Sequence, residues 1–218
     1  MKINAFCFVY CILITFDLLK LNSNIKQVKM KRIAIFASGS GSNAENIDHY
    51  FKKDLSVKID LILSNNPKAF VLERAKKLGV DTMVFNRSDF YQSRRILEEL
   101  KKRKIDLIVL AGFMWLVPPL YTNAFPDKMI NIHPALLPKY GGKGMYGDFV
   151  HQAVSKAHEK ETGITIHFVN DHYDEGNVIF QQSIPIKAGD HPELIAEKVH
   201  ALEYEHYPRV IGEVLKRF

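Results

Sequence analysis

Within MINIHPALLPK (129–139) an amide and an imidazole stand two positions apart, at Asn131 and His133, and Pro134 follows at once. Side chains of a strand alternate, so Asn131 and His133 point to one face. Pro134 cannot continue a central strand, which leaves His133 at the strand's carboxyl end. An amide donor beside an imidazole suits stabilising an oxyanion and moving a proton. The bland alternative is an Asn and a His satisfied within a core, and a lone His would favour it; the pair at a strand end favours chemistry. A second stretch, ASGSGSNAEN (37–46), carries Gly39 and Gly41 before a helical pattern. Glycines there permit a tight turn and close backbone approach, and the amides of Gly41, Ser42 and Asn43 at a helix start form an anion site. The spacing also reads G-x-G-x-x-A, a dinucleotide fingerprint, which requires an acid at the end of the second strand. That strand ends Leu63-Ser64-Asn65 with Asp60 in its middle, so phosphate binding is favoured over NAD. A third stretch, NDHYDEGNVI (170–179), places Asp171 and Asp174 in a turn before Gly176. This is ordinary turn chemistry by itself. Set beside His133, one carboxylate would orient the ring and raise its pKa.

The elements that must position these residues alternate from Arg32 onward. Short apolar runs at 32–37, 57–63, 81–85, 106–112 and 129–133 read as strands. Helical patterns fall at 43–53, from Pro67 to Leu78, from a Ser88 cap to Arg103, and after Pro118–Pro119. Near-continuous apolar strands alternating with helices predict an α/β fold, a doubly wound, mostly parallel sheet with a Rossmann-like N-terminal half. Such sheets bind ligands outside the carboxyl ends of their strands. A glycine-rich loop (141–147) follows, then a helix over about 148–158, strands at 162–169 and 177–186, and a long helix over about 191–215. Neither a repeat nor a linker interrupts residues 30–218, which read as one domain.

Composition narrows the function classes. The 218 residues carry 47% hydrophobic and 25% charged side chains and a net charge of +6, ordinary for a globular protein. Half of that charge lies in residues 1–29, where Lys2, Lys20, Lys26 and Lys29 face only Asp17. The body therefore has a weak field and no aromatic-laced basic cluster, which argues against nucleic-acid binding. Cys7 and Cys11 are the two cysteines, so the body has neither disulfides nor thiolate metal sites. The apolar run NAFCFVYCILITFDLL is interrupted by Asp17, short of a bilayer span, and no signal-cleavage pattern follows it. Residues 1–29 are expected to be an upstream extension outside the fold, with Met30 as the native start; the alternative is an uncleaved anchor. Residues 30–218 are expected to be cytoplasmic and free of the membrane.

Taken together, SGSGSN (38–43), VLAGFM (109–114), NIHPALLPKY (131–140), GITIHFVNDHYDEG (163–176) and EYEHYP (203–208) resemble the folate-dependent phosphoribosylglycinamide formyltransferase family over about Lys31–Arg209. The resemblance implies transfer of the formyl group of 10-formyltetrahydrofolate, used as cosubstrate, to the amine of glycinamide ribonucleotide in purine synthesis. It implies a catalytic trio of Asn131, His133 and Asp174, with a protonated His133 kept charged by Asp174. Gly41, Ser42 and Asn43 would hold the substrate phosphate, and Glu203 its ribose or glycinamide end. Met114, Trp115, Leu116 and Val117, with Asn131, Val169, Asn170 and Asp171, would line the folate pocket, and Arg94 rather than Arg95 would contact folate. Neither a metal nor a nucleophilic residue is required. The partners are the two small molecules, and the protein is expected to be a monomer or homodimer. Replacing His133 or Asp174 by Ala is expected to abolish turnover with little change in stability. Trp115 stands where relatives often carry Arg, and the 141–153 segment differs in length from some relatives and reads as a lid.

Three rivals share parts of this pattern. Methionyl-tRNA formyltransferase would need a C-terminal tRNA-binding domain, and formyltetrahydrofolate deformylase usually an N-terminal regulatory domain. A non-catalytic nucleotide-binding module would not need Asn131, His133 and Asp174 together. The phosphate-type glycine–serine loop favours the nucleotide substrate.

Overall fold

The computed structural model describes residues 29–218. The apolar N-terminal stretch, expected to lie outside the fold, falls outside the described residues except for Lys29. Seven strands form one sheet in the order β3-β2-β1-β4-β5-β6-β7: β1 Lys31–Phe36, β2 Val57–Ser64, β3 Asp81–Val84, β4 Leu107–Leu110, β5 Met129–His133, β6 Glu161–Phe168 and β7 Val178–Pro185. Strands β1 to β5 run parallel to one another, whereas β6 is antiparallel to both β5 and β7. The helices are α1 Ser42–Phe51, α2 Val71–Leu78, α3 Arg87–Tyr91, α4 Arg95–Lys102, α5 Pro119–Thr122, α6 Asp148–Lys156 and α7 Pro192–Leu215. Among the described residues no helix is long and apolar enough to cross a membrane.

Strand alternation divides the core between the two faces. Ile33 and Ile35 of β1, Leu107 and Val109 of β4, and Ile130 and Ile132 of β5 face α1, α2 and α7. Ala34, Phe36, Ile108, Leu110 and Met129 face α3, α4 and α5 on the other side. Both faces are thus covered, which is why these strands read as unbroken apolar runs. Each buried aliphatic side chain contributes about 1.5–3 kcal/mol relative to exposure.

Asp60 occupies an extra position in β2, since Ile33 pairs with Ile59 and Ala34 with Leu61. Its buried carboxylate meets Arg32, Lys58 and Arg103. Burial pushes its pKa up, but those cations together hold it below the usual range. It is a structural ion cluster in mid-strand, away from any position where a ribose-binding acid would sit.

Two helix expectations differ in detail. Pro67 lies in a turn and α2 begins at Val71, because Asn66 forms a side-chain turn first, with Lys68 N–H donating to Asn66 Oδ1 at 2.9 Å. The expected helix from Ser88 to Arg103 is two helices. Asn86, not Ser88, caps α3 through a reciprocal pair with Asp89, and the chain restarts at α4.

Candidate functional site

The loops after β1, β4 and β5 converge at the carboxyl edge of the sheet on a cavity of about 470 Å³, which Glu203, His151 and the 142–147 loop also line. Gly41 opens α1 with φ 75°, and its carbonyl accepts the Glu45 N–H at 3.0 Å. A Cβ at Gly41 would overlap the Val71 side chain and lie 2.8 Å from Val71 Cα. Val71 N–H donates to Gly39 O at 3.1 Å and Arg74 Nε to Ser40 O at 3.0 Å. The turn is therefore clamped from α2, with the first amides of α1 presented toward the cavity.

Asn43 behaves differently from a free donor. Its Nδ2 donates to Glu203 Oε2 at 2.9 Å, and its Oδ1 is buried without a partner. Glu203 is 6% exposed, and burial raises its carboxyl pKa despite the bond from Asn43. Its placement follows from Tyr207, one helical turn on, whose hydroxyl donates to Leu110 O at 2.9 Å and also approaches Ile130 O. The first carbonyl ends β4 and the second lies within β5, so α7 is pinned to the sheet with Glu203 lining the cleft.

The imidazole, amide and carboxylate do meet. His133 is 3% exposed, and its Nδ1 lies 3.5 Å from Asp174 Oδ2. Its Nε2 is 2.7 Å from Tyr140 O; a carbonyl only accepts, so Nε2 carries a hydrogen. Asp174 accepts the Gly142 N–H at 2.9 Å and takes a left-handed conformation at φ 58°. Although burial pushes the Asp174 carboxyl up, His167, His133 and the Gly142 N–H outweigh it and hold it low.

Burial works against the charged His133 that the resemblance implied. Burial depresses its pKa by more than Asp174 and the Tyr140 carbonyl raise it, and His167 depresses it further. In the free cleft the ring is biased toward neutral, with Nδ1 as its proton-accepting atom. Desolvation, absent from any reading of residue types, decides the direction.

A residue the sequence reasoning missed organises the trio. His167 donates from Nδ1 to Phe168 O at 2.8 Å, and its Nε2 lies 3.1 Å from Asn131 Nδ2 and 3.6 Å from Asp174 Oδ1. Asn131 Nδ2 also makes a long contact of 3.4 Å to Asp174 Oδ1. His167 pairs across the sheet with Asn131 and Thr165 with His133. Thr165 accepts the Leu137 N–H at 3.0 Å and donates to Ala135 O at 2.7 Å, fixing the turn after His133. The findable signal was the alternation Gly163, Thr165, His167 against Ile164, Ile166, Phe168 in β6.

The residues expected around folate divide. Met114 lines the large cavity. Trp115, Leu116, Val117, Val169 and Asn170 line a smaller adjoining one, which shares Asn131 and Asp174 with the first. Leu116 N–H donates to the Tyr173 hydroxyl at 3.1 Å, tying the two walls together. Asp171 and Arg94 are exposed and line neither cavity. Beside Trp115 lie the Arg87 guanidinium, 5.1 Å from the ring centroid, and the stacked Tyr91 ring.

A glycine turn opening a helix at the first crossover and an acid–imidazole–amide group at a parallel strand end, meeting on one cavity, mark an α/β enzyme. Residues 31–211 match the family model described as formyl transferase. The chain belongs to the formyl transferase family. It is 38% identical over 193 residues to the chloroplastic phosphoribosylglycinamide formyltransferase of Arabidopsis thaliana, matching 85% of this chain and 66% of that longer protein. It is likewise 38% identical to the phosphoribosylglycinamide formyltransferase of Bacillus subtilis, across 85% of this chain and 95% of the relative. The crystal structure of glycinamide ribonucleotide transformylase 1 from Geobacillus kaustophilus superposes with a TM-score of 0.77 at 41% identity, covering 85% of this chain and 99% of that one. The family and the enzyme class that the sequence implied stand on these matches.

Proposed function

We propose that this chain transfers the formyl group of 10-formyltetrahydrofolate to the amine of glycinamide ribonucleotide, with Asn131, His133 and Asp174 as the reacting group. The observation that carries this is the approach of His133 Nδ1 to Asp174 Oδ2 at 3.5 Å beside the anion cradle. The cradle at Gly41–Asn43 takes the phosphate on helix-start amides, with Ser42 adding a hydroxyl and Asn43 holding Glu203 in place for the ribose. The aromatic and aliphatic walls at 114–117 and 169–170 suit a flat folate ring system. Arg94 and Asp171 are exposed and line neither cavity, so the ring system itself falls to the 114–117 and 169–170 walls.

The substrate amine attacks the formyl carbon, and a tetrahedral oxyanion develops. One Asn131 amide hydrogen is committed to His167; the other, held only by the long contact to Asp174, turns to the oxyanion. Neutral His133 accepts a proton at Nδ1 as the amine loses it, and the adjacent Asp174 carboxylate stabilises the imidazolium so formed. The proton then passes to the folate nitrogen as the tetrahedral adduct collapses. One oxyanion donor contributes about 3–4 kcal/mol of barrier reduction. The folded unit responsible is residues 30–218.

Incubation with 10-formyltetrahydrofolate, with and without glycinamide ribonucleotide, tests the reading. Formyl transfer that requires the nucleotide is the expected result. Formate release without it would identify a deformylase, and no reaction in either case would leave a binding module.

A further inference from the structure

The large cavity contains an imidazole for which the reaction above has no use. His151, on α6, is 2% exposed, and its Nδ1 is buried without a hydrogen-bond partner. The ring lines the same cavity as Gly41–Asn43 and Glu203. With Nδ1 sealed from solvent, the edge of the ring that a ligand in the cavity can reach is the one carrying Nε2.

Charge balance says what that ligand supplies. The cradle residues 39–43 contain neither Lys nor Arg, and Arg74 behind them is committed to Glu45 and Ser40 O. The cationic or protonatable side chains that line the cavity are Lys143, His133, His151 and His200. His133 is engaged with Asp174 and Tyr140 O. His200 on α7 is exposed, and Glu203, one turn along the same helix, lies within its field. Lys143 is an exposed side chain on the glycine-rich loop. His151 is thus the enclosed imidazole with no assigned counter-charge.

We propose that His151 is a further binding residue for the phosphorylated substrate, donating to its phosphate from the ring edge that faces the cavity and taking up a proton as the anion arrives. This rests on the nucleotide-substrate reading and adds a residue to it. The groups facing the ring are His200 from α7, whose centroid is 6.1 Å away, Asp148 from its own helix and His133 from β5, with Glu203 and Lys143 across the cavity. Burial first, then His200 and His133, push the ring down to about 4, and Asp148 alone pulls it up. The free ring is therefore neutral, and an incoming phosphate supplies the charge that reverses the balance.

Two measurements on the full chain test this. Calorimetric titration with glycinamide ribonucleotide at about pH 6, in buffers of different ionisation heat, should show proton uptake that His151→Gln diminishes. In the same variant KM for the nucleotide should rise about tenfold or more, the loss of one charge-assisted bond, with kcat and folate KM within about twofold. Imidazole NMR of the wild-type chain, which needs no variant, should show the His151 ring neutral alone and protonated in the nucleotide complex. A ring that stays neutral in the complex, or unchanged KM and proton uptake in His151→Gln, overturns the inference while leaving the formyl-transfer reading intact. A wild-type chain that neither binds nor formylates the nucleotide overturns that reading first, and this one with it.

Discussion

Replacing Asp174 by Asn isolates the charge of the carboxylate proposed to act in catalysis. Asn tolerates the left-handed φ of 58° found there, and its oxygen can still accept the Gly142 N–H now bonded at 2.9 Å. What disappears is the negative charge 3.5 Å from His133 Nδ1. At an effective dielectric of about 20, two unit charges at that separation interact by about 5 kcal/mol. Solvent at the partly open rim reduces this toward about 3 kcal/mol. At 1.36 kcal/mol per tenfold, kcat should fall between about a hundredfold and a few thousandfold. The assay follows the ultraviolet change of the folate as its formyl group leaves, at saturating nucleotide, with thermal unfolding in parallel. Asp174→Asn should keep a melting temperature within about 3 °C of wild type. Asp174→Ala is a different perturbation, because it strips the Gly142 N–H of its charged acceptor, at about 1.5–3 kcal/mol, or several degrees for a chain of this size. The sequence-level expectation that alanine leaves stability nearly untouched is revised accordingly. Turnover of Asp174→Asn within threefold of wild type, in a folded protein, would refute the electrostatic role assigned to this carboxylate.

Other perturbations have equally direct readouts. Gly41→Ala forces a Cβ against Val71 at a φ of 75° and should cost about 2–4 kcal/mol, measured by urea unfolding, with nucleotide KM raised more than folate KM. Trp115→Ala removes the ring packed by Arg87, Tyr91, Phe85 and Phe90; folate KM should rise about tenfold while nucleotide KM stays within about twofold, and the reverse pattern would place the folate elsewhere. His133 and His151 both have folded pKa values below the ordinary histidine value, so the folded chain holds fewer protons than the unfolded one. Their stabilising contribution is full above about pH 6.5 and is lost as pH falls through the folded values, about 4 for His151. Urea midpoints between pH 7.5 and 4 should therefore decline for wild type and decline less steeply for His151→Gln.

Particular residues mark how much of this was legible in the chain. The apolar runs at β1 and β4, and the near-continuous one at β2, announced a sheet covered on both sides, and Pro134 placed His133 at a strand end, because strand period and proline chemistry are local properties. The Gly41 turn was equally local. His167 was passed over because its partner Asn131 is 36 residues away, and only antiparallel pairing of β6 with β5 joins them. The Ser88 cap failed for a related reason: two polar residues compete for the start of α3, and the Asn86–Asp89 pair makes two bonds where Ser88 could make one.

From the sequence alone came the order of elements, the strand-end placement of the amide and imidazole, the glycine turn at the first helix start and the family. Those depend on backbone preferences and residue spacing, which act over a few positions. Tertiary structure alone decided that Asn43 gives its amide to Glu203, that His167 lies beside Asn131, and that burial works against protonation of His133. It also enclosed His151 beside the substrate cavity. Each of those outcomes turns on distance and desolvation between segments far apart in the chain, and neither quantity exists until the sheet has closed around them.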